Sequence, residues 1–244
     1  MKLLKNNILA VSMILLTSCG TAYQQSAPEY GPNTSINDVI EQDQELVDII
    51  QPYKEELKKK MNRVVTYSPV DLNKDGFNAP LCNLVADVTL EYINDVYQKE
   101  GKGKVDVALF NYYGLRRTFS SGNLTVGSFY ELMPFDNEIY ILDVKGETIV
   151  KMVDYVLSSK TGHPVSNITA TSLADIKIDG HPLDLKKSYK IATTDYLYNG
   201  GDNMFFLQDA FEKDIPNLKH RDLLLDYFEK VDTVIVNTNT RITK

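Results

Sequence analysis

The chain has 244 residues, which is enough for one large domain or two small ones with a proper hydrophobic core. Its 33 acidic residues outnumber its 26 lysines and arginines, so the formal net charge is −7. Because nucleic-acid polymers are bound largely by cationic patches, this balance argues against such a partner. A single small anion held by one or two arginines stays possible.

The first residues have the pattern of an export signal. Lys2 and Lys5 precede an apolar stretch over 8–16, which is much shorter than the roughly 20 residues of a bilayer span. The tetrad Leu-Thr-Ser-Cys that ends at Cys19 resembles the bacterial lipoprotein box, in which the cysteine becomes the acylated first residue of the mature protein. We therefore predict an exported lipoprotein, anchored on the periplasmic or cell-surface side of a membrane. The alternative is a plain signal peptide that happens to contain a cysteine.

This signal divides the chain into three predicted segments. Residues 1–18 are predicted to be the lipoprotein signal peptide, 19–35 a polar lipidated tether, and 36–244 a single folded domain. Lipidation of Cys19 leaves only one other cysteine, so no intrachain disulfide is expected. That cysteine, Cys82, lies in an apolar helical pattern and is expected to be a small buried hydrophobe.

In the folded part, predicted helices and strands alternate irregularly, which indicates an α/β (α+β) domain with a mixed sheet. The first helical pattern runs from Ile36 to about Met61, where Pro52 predicts two helices or one kinked helix. A second predicted helix begins at Pro80, and two more cover 146–158 and about 221–231. The predicted strands cover 64–70, 105–110, 138–144, parts of 169–194, and 233–236.

Three loops concentrate glycine, aromatic and hydrogen-bonding residues. The loop over 111–116 follows a predicted strand, the loop over 132–137 precedes one, and the loop over 194–202 follows another. Taken singly, each has an ordinary interpretation as a turn, a core anchor or a solvated charge.

Taken together, these loops resemble the C-terminal domain of the 5′-nucleotidase family, over most of the chain from about Ile49 to the end. In that family this domain binds the nucleoside, while a separate N-terminal domain catalyses the hydrolysis. The motifs that carry the resemblance are Cys82-Asn83-Leu84-Val85-Ala86-Asp87, Asn111 with Gly114-Leu115-Arg116, Pro134-Phe135-Asp136-Asn137, Gly180-His181-Pro182-Leu183-Asp184, Thr193-Thr194-Asp195-Tyr196 and Gly200-Gly201-Asp202.

The resemblance implies roles for six residues. For the two aromatic residues among them, Phe135 and Tyr196, the alternative to a place in the site is packing in the hydrophobic core. In the site, stacking on a base would contribute about 1–3 kcal/mol per base. The implied substrate-binding residues are Phe135 and Tyr196 as the rings that sandwich the base, Asn137 and Asp202 at polar edges of base or ribose, and Asn111 and Arg116 on the ribose and phosphate side.

One departure from the family pattern concerns the first loop. Tyr112 and Tyr113 replace two glycines at a place where the backbone approaches the ligand closely in the family. Two phenol rings there could narrow or fill the pocket, and we expect nucleotide binding to be weaker or altered.

Hydrolysis in the family uses two metal ions held in motifs rich in Asp, His and Asn. The histidines His163, His181 and His220 lie in no such motif and are expected to be surface or loop residues. No catalytic residue, metal ligand or cofactor is therefore predicted here, and divalent metals are expected only in a partner metallophosphatase. Two functions stay open: the nucleoside- and nucleotide-recognition half of a split 5′-nucleotidase, or a freestanding surface binder or scaffold without a catalytic role.

Overall fold

The computed structural model describes residues 28, 30–37 and 40–244. The chain divides into two units, Met1–Val47 and Asp48–Lys244. In the first unit, the described residues before Gln44 are exposed and form no helix or strand. The predicted signal peptide and the lipidated Cys19 lie outside the described residues and stay predictions.

The first helix, α1, covers Gln44–Met61 and continues through Pro52, so the two-helix alternative was wrong. The helix begins later than its apolar pattern because Asp43 caps it. The Asp43 carboxylate accepts hydrogen bonds from the backbone N–H groups of Glu45, at 3.0 Å, and Leu46, at 3.3 Å. Within the described part of the chain, none of the 18 residues of α1 is buried.

The second unit contains ten strands and five further α-helices among its described residues. Strands β1 to β10 are Val64–Ser68, Val107–Leu109, Gly122–Thr125, Ile139–Lys145, Val165–Ser166, Ile168–Thr169, Lys177–Ile178, His181–Pro182, Ser188–Thr194 and Glu212–Asp214. Helices α2 to α6 are Pro80–Glu100, Val126–Leu132, Gly146–Ser158, Asp195–Tyr198 and His220–Phe228.

A five-stranded sheet in the order β10-β4-β9-β2-β5 forms the centre of this unit. Strand β9 pairs in parallel with β2 and antiparallel with β4, and the outer pairs are antiparallel, so the sheet is mixed, as predicted. Alternate residues of β2 enter two separate cores, since side chains alternate across a strand. Ala108 packs with α2 and α6, whereas Val107 and Leu109 pack with α4.

Helix α2 shows how closely local pattern and packing agree. Pro80 occupies its first turn, where a missing N–H costs nothing, and Gly101 ends it in the left-handed conformation at φ 70°. Cys82 is buried in the helix, as predicted, and burial raises the pKa of its thiol to about 12.

The prediction of a strand over 233–236 was wrong. Thr233 forms only an isolated bridge with Tyr67, and Val234 donates one backbone hydrogen bond to the Tyr67 carbonyl at 2.8 Å. Ile235 is exposed, so the β-branched residues there do not have the continuous ladder and buried face that hold a strand.

Candidate functional site

The three unusual loops meet at one edge of the central sheet. Parallel strands β2 and β9 both end at this edge, and antiparallel β4 begins there, with Ile139 opposite Thr194. The loops after β2, before β4 and after β9 are therefore neighbours in space. The sheet topology brings together segments that are far apart in sequence.

Asp202 is the point at which two of these loops join. Its Oδ2 accepts a hydrogen bond from Asn111 Nδ2 at 2.8 Å, and its Oδ1 accepts one from the Tyr196 hydroxyl at 2.9 Å. The Tyr155 hydroxyl, from α4, donates to the Asp202 backbone carbonyl at 2.7 Å. Three of the predicted site residues, Asn111, Tyr196 and Asp202, are thus in direct contact.

The backbone around Asp202 is held in an uncommon conformation. Gly200, with φ 92°, and Asp202, with φ 49°, both lie in the left-handed region, which glycine adopts readily and aspartate at some cost. At Gly201 a Cβ atom would lie 2.4 Å from Cε1 of Tyr196, so only glycine leaves room for the ring. The two glycines therefore let the aromatic ring and the carboxylate share one tight turn.

The Tyr196 hydroxyl is protonated at neutral pH and donates a hydrogen bond. The hydrogen bond to Asp202, with smaller effects of burial and of the carboxylate charge, raises the pKa of Tyr196. Burial, followed by the Asp202 charge, likewise raises the pKa of Tyr155. Both phenols stay protonated and donate to Asp202.

Two aromatic rings from different loops are half exposed at this edge. Phe135 exposes 45% of its surface and Tyr196 exposes 44%. The Arg116 guanidinium lies 5.9 Å from the centre of the Phe135 ring, within the range of a cation–π contact. Arg116 itself is exposed. Flat apolar faces and an exposed cation are thus presented to solvent together.

A small cavity of about 20 Å³ lies beneath Phe135. It has room for about one water molecule, so a nucleobase does not fit inside it. The exposed faces of the rings, rather than this cavity, are the surfaces that a base can reach. The cavity is lined by Phe110, Asn111, Gly114, Leu115, Met133, Phe135, Asn137, Thr194 and His220, and it thereby joins Asn137 to the other predicted residues.

Tyr112 and Tyr113 point in different directions. Tyr112 is buried and its hydroxyl donates to Asp75 at 2.6 Å, which raises the pKa of Tyr112 to about 12. Tyr113 packs edge-on against it, with ring centres 5.1 Å apart, and exposes 60% of its surface. Neither ring lines the small cavity.

His220 corrects one prediction. It is buried rather than at the surface, because its ring packs 4.2 Å from the Phe110 ring and its Nε2 lies 2.8 Å from Thr89 Oγ1. Burial lowers the pKa of His220 to about 3, so the ring is neutral. The helix α6 begins one residue earlier than its apolar pattern predicted, with His220 as its first residue.

Two other residues at the site were not anticipated from the sequence. Tyr155 lies within a predicted helix, where its apolar spacing gave no sign that its hydroxyl reaches Asp202. Arg221 is buried and donates to the carbonyls of Met133 and Phe135. An alignment of related chains would be the signal that distinguishes such residues from ordinary helix positions.

A larger cavity of about 410 Å³ lies elsewhere, beside α2 and the C-terminal segment. One of its three acidic residues, Asp87, already pairs with Arg241 and accepts a hydrogen bond from the Ser166 hydroxyl at 2.5 Å. No aromatic residue lines it, so it lacks a stacking surface for a base. Size alone therefore does not make it the better candidate.

Within residues 28, 30–37 and 40–244, no group of three His, Cys, Asp or Glu side chains is placed to hold a metal ion. The side chains in the described part thus do not fit a two-metal centre. Over the same residues, no helix has both the length and the apolar character to span a bilayer.

The family is established by comparison with known proteins. A family model described as "5′-nucleotidase, C-terminal domain" matches residues 64–209. The chain therefore belongs to the 5′-nucleotidase C-terminal domain family. The fold class and the family resemblance that were predicted from the sequence are both confirmed.

Individual relatives agree with this assignment. An apyrase from Tabanus yao is 23% identical over an alignment of 227 positions, which covers 81% of this chain and 41% of the apyrase. A 5′-nucleotidase precursor from Thermus thermophilus has a similar fold, with a TM-score of 0.68 and 22% identity over 80% of this chain and 42% of that one. The NAD nucleotidase of Haemophilus influenzae follows at a TM-score of 0.56 and 17% identity, over 81% and 40%. The chain spans about two fifths of the length of these relatives.

Proposed function

We propose that this chain is the nucleoside- and nucleotide-recognition half of a split 5′-nucleotidase. The observation that carries the proposal is the arrangement around Asp202. One carboxylate holds Asn111 and Tyr196 in place, while the rings of Tyr196 and Phe135 stay half exposed on neighbouring loops.

Each group has a chemical task in this proposal. The two rings stack on the base, which tolerates different bases because every base has a flat π face. Asp202 uses its remaining acceptor lone pairs for an amine or hydroxyl of the ligand, since an ionised carboxylate has about four of them. Asn137 meets a polar edge of the base or ribose. Arg116, exposed beside Phe135, pairs with a phosphate.

In the proposal, a separately encoded metallophosphatase supplies the divalent metals and the hydrolysis. One fact supports this division of labour. The family match is to the C-terminal domain, which in the family resemblance is the nucleoside-binding part. We expect the partner to have about 250–300 residues, the size of one catalytic domain.

Helix α1 offers a docking surface for this partner. Ile49, Ile50, Tyr53 and Leu57 recur at spacings of three and four residues, so they share one face, and each exposes more than half of its surface. The helix lies on the N-terminal side of the matched residues 64–209, the side on which the family resemblance places the catalytic domain. Exposed apolar faces of this kind commonly mark sites of protein association.

The proposed location is a membrane surface, to which a lipidated Cys19 anchors the protein. Its support is the sequence pattern of basic residues, apolar stretch and Cys19. A Cys19→Ser variant is expected to move from the membrane to the soluble fraction or to stay unprocessed. A processed Cys19→Ser protein that stayed on the membrane would contradict the lipid anchor.

The test of function combines the purified full chain with the candidate metallophosphatase from a neighbouring gene. The chain alone, with divalent metals added, is expected to leave AMP intact, and the pair is expected to hydrolyse it. Leu57→Glu should weaken complex formation, whereas Lys59→Glu, which places the same carboxylate on another face of α1, should not. AMP turnover by the chain alone would overturn the proposal. Binding of adenosine without any effect on hydrolysis would favour a freestanding binding protein.

A further inference from the structure

We propose that Arg221 is a positioning residue that holds the loop over 133–137, and with it the Phe135 ring, in the place where the ring stacks on a base. The identity of the ligand as a nucleoside or nucleotide rests on the proposed function. The restraint on the loop does not, because it is a property of the protein without ligand.

The hydrogen bonds of the Arg221 side chain converge on this one loop. Its Nη1 donates to the carbonyl of Met133 at 3.1 Å and to the carbonyl of Phe135 at 3.2 Å. Its Nη2 donates to the Asp136 carboxylate. A guanidinium presents its donors in a rigid planar fork, so several bonds from one side chain fix both the place and the direction of the loop.

Arg221 is itself held firmly. Its side chain is 6% exposed and its guanidinium lies 4.1 Å from the centre of the Tyr130 ring. It stands in the first turn of α6, next to His220, whose backbone N–H donates to the Asn137 carbonyl at 2.9 Å. The first turn of one helix therefore binds both the middle and the end of the loop.

Phe135 depends on this restraint more than a core residue does. Nearly half of its surface faces solvent, so packing alone does not fix its ring. The hydrogen bond to its own carbonyl comes from Arg221. A ring that is already in place loses less conformational entropy when a ligand binds, which increases affinity without any direct contact from Arg221.

The chain contains no tryptophan, so Phe135→Trp provides a single fluorescent reporter on the loop. In this background and without ligand, Arg221→Met is expected to lower the fluorescence anisotropy of Trp at position 135 and to increase its quenching by acrylamide. With Phe135 retained, Arg221→Met is expected to weaken adenosine binding by about 2- to 12-fold, the equivalent of one ordinary hydrogen bond. Arg221→Lys, which keeps the charge but not the fork, should give intermediate values.

Lys219→Met is the matched control. Lys219 is exposed and pairs with the same Asp136 carboxylate at 3.0 Å, yet the bonds to the loop carbonyls come from Arg221. Its removal is expected to change neither the anisotropy nor the affinity.

Circular dichroism and melting curves establish that each variant is folded. If Arg221→Met does not fold, Arg221→Lys and Asp136→Asn take its place. Unchanged anisotropy and unchanged affinity in the folded variants would overturn the inference. If the wild type binds no adenosine, the proposed function fails, and the anisotropy without ligand still decides whether Arg221 positions the loop.

Discussion

Asn111 and Asp202 are 91 positions apart in the sequence, yet Asn111 Nδ2 donates a 2.8 Å hydrogen bond to Asp202 Oδ2. This bond ties the loop after β2 to the turn that follows α5. The Tyr196 hydroxyl occupies the other carboxylate oxygen at 2.9 Å. The arrangement is complete without ligand, so a nucleoside would meet a site whose polar groups are already oriented.

Removal of this carboxylate is expected to weaken ligand binding strongly. Asp202→Ala loses a charged hydrogen-bond acceptor and also frees Asn111 and Tyr196, so adenosine affinity should fall by about 1.5–3 kcal/mol, roughly 10- to 150-fold. Calorimetry with adenosine and AMP measures the change. Asp209→Ala is the control, because Asp209 is an exposed acid nearby in sequence that pairs with Lys151. Equal affinities in the two variants would show that Asp202 has no part in binding.

The aromatic rings give a second prediction. Phe135→Ala and Tyr196→Ala should each reduce the affinity for adenosine by about 1–3 kcal/mol, the value of one stacked base. Tyr196→Phe keeps the ring and removes the hydroxyl, so it separates stacking from the bond to Asp202. For this chain measured without the proposed metallophosphatase, wild-type binding is expected in the range of roughly tens of micromolar to millimolar, because nothing then closes over the ligand. If both alanine variants bind as well as wild type, the base lies elsewhere.

Gly201 gives a third prediction, which depends on the close approach of the Tyr196 ring to the Gly201 backbone. Alanine at this position would place its Cβ 2.4 Å from Cε1 of Tyr196, so the ring must shift from the place in which its hydroxyl donates to Asp202. Gly201→Ala is therefore expected to weaken adenosine binding, by no more than Tyr196→Ala does. The double variant measures whether the two effects share one cause. In the Tyr196→Ala background, Gly201→Ala should cost nothing further, and a full additional loss would contradict the mechanism.

The fold was largely predictable because its signals are local. The apolar spacing after Pro80 and the stretch over 146–158 each predicted an α-helix that the structure contains. The bond between Tyr155 and Asp202 was not predictable, because it depends on how α4 packs against the sheet. The same is true of Arg221, which in sequence is one charged residue at the start of an amphipathic helix. Where a long polar side chain ends up is decided by tertiary packing, which single-sequence periodicity does not encode.

His220 gives a prediction about stability and pH. Burial lowers its pKa from 6.5 to about 3 in the folded protein. Between these values the unfolded chain binds a proton that the folded protein does not, so the free energy of unfolding falls as the pH decreases. The contribution of neutral His220 is fully present above pH 6.5 and is lost progressively toward pH 3.

Urea unfolding at pH 7 and pH 5 tests this linkage. The wild type should lose about 2 kcal/mol more between these two pH values than His220→Gln, which has no titrating ring but keeps a polar side chain near Thr89. Burial also lowers the pKa of His163, but this residue is present in both proteins, so its effect cancels in the comparison. Carboxylates that titrate near pH 5 cancel in the same way. Equal losses in the two proteins would mean that His220 accepts a proton in the folded state at pH 5, and the buried, neutral ring beside Phe110 would then be wrong.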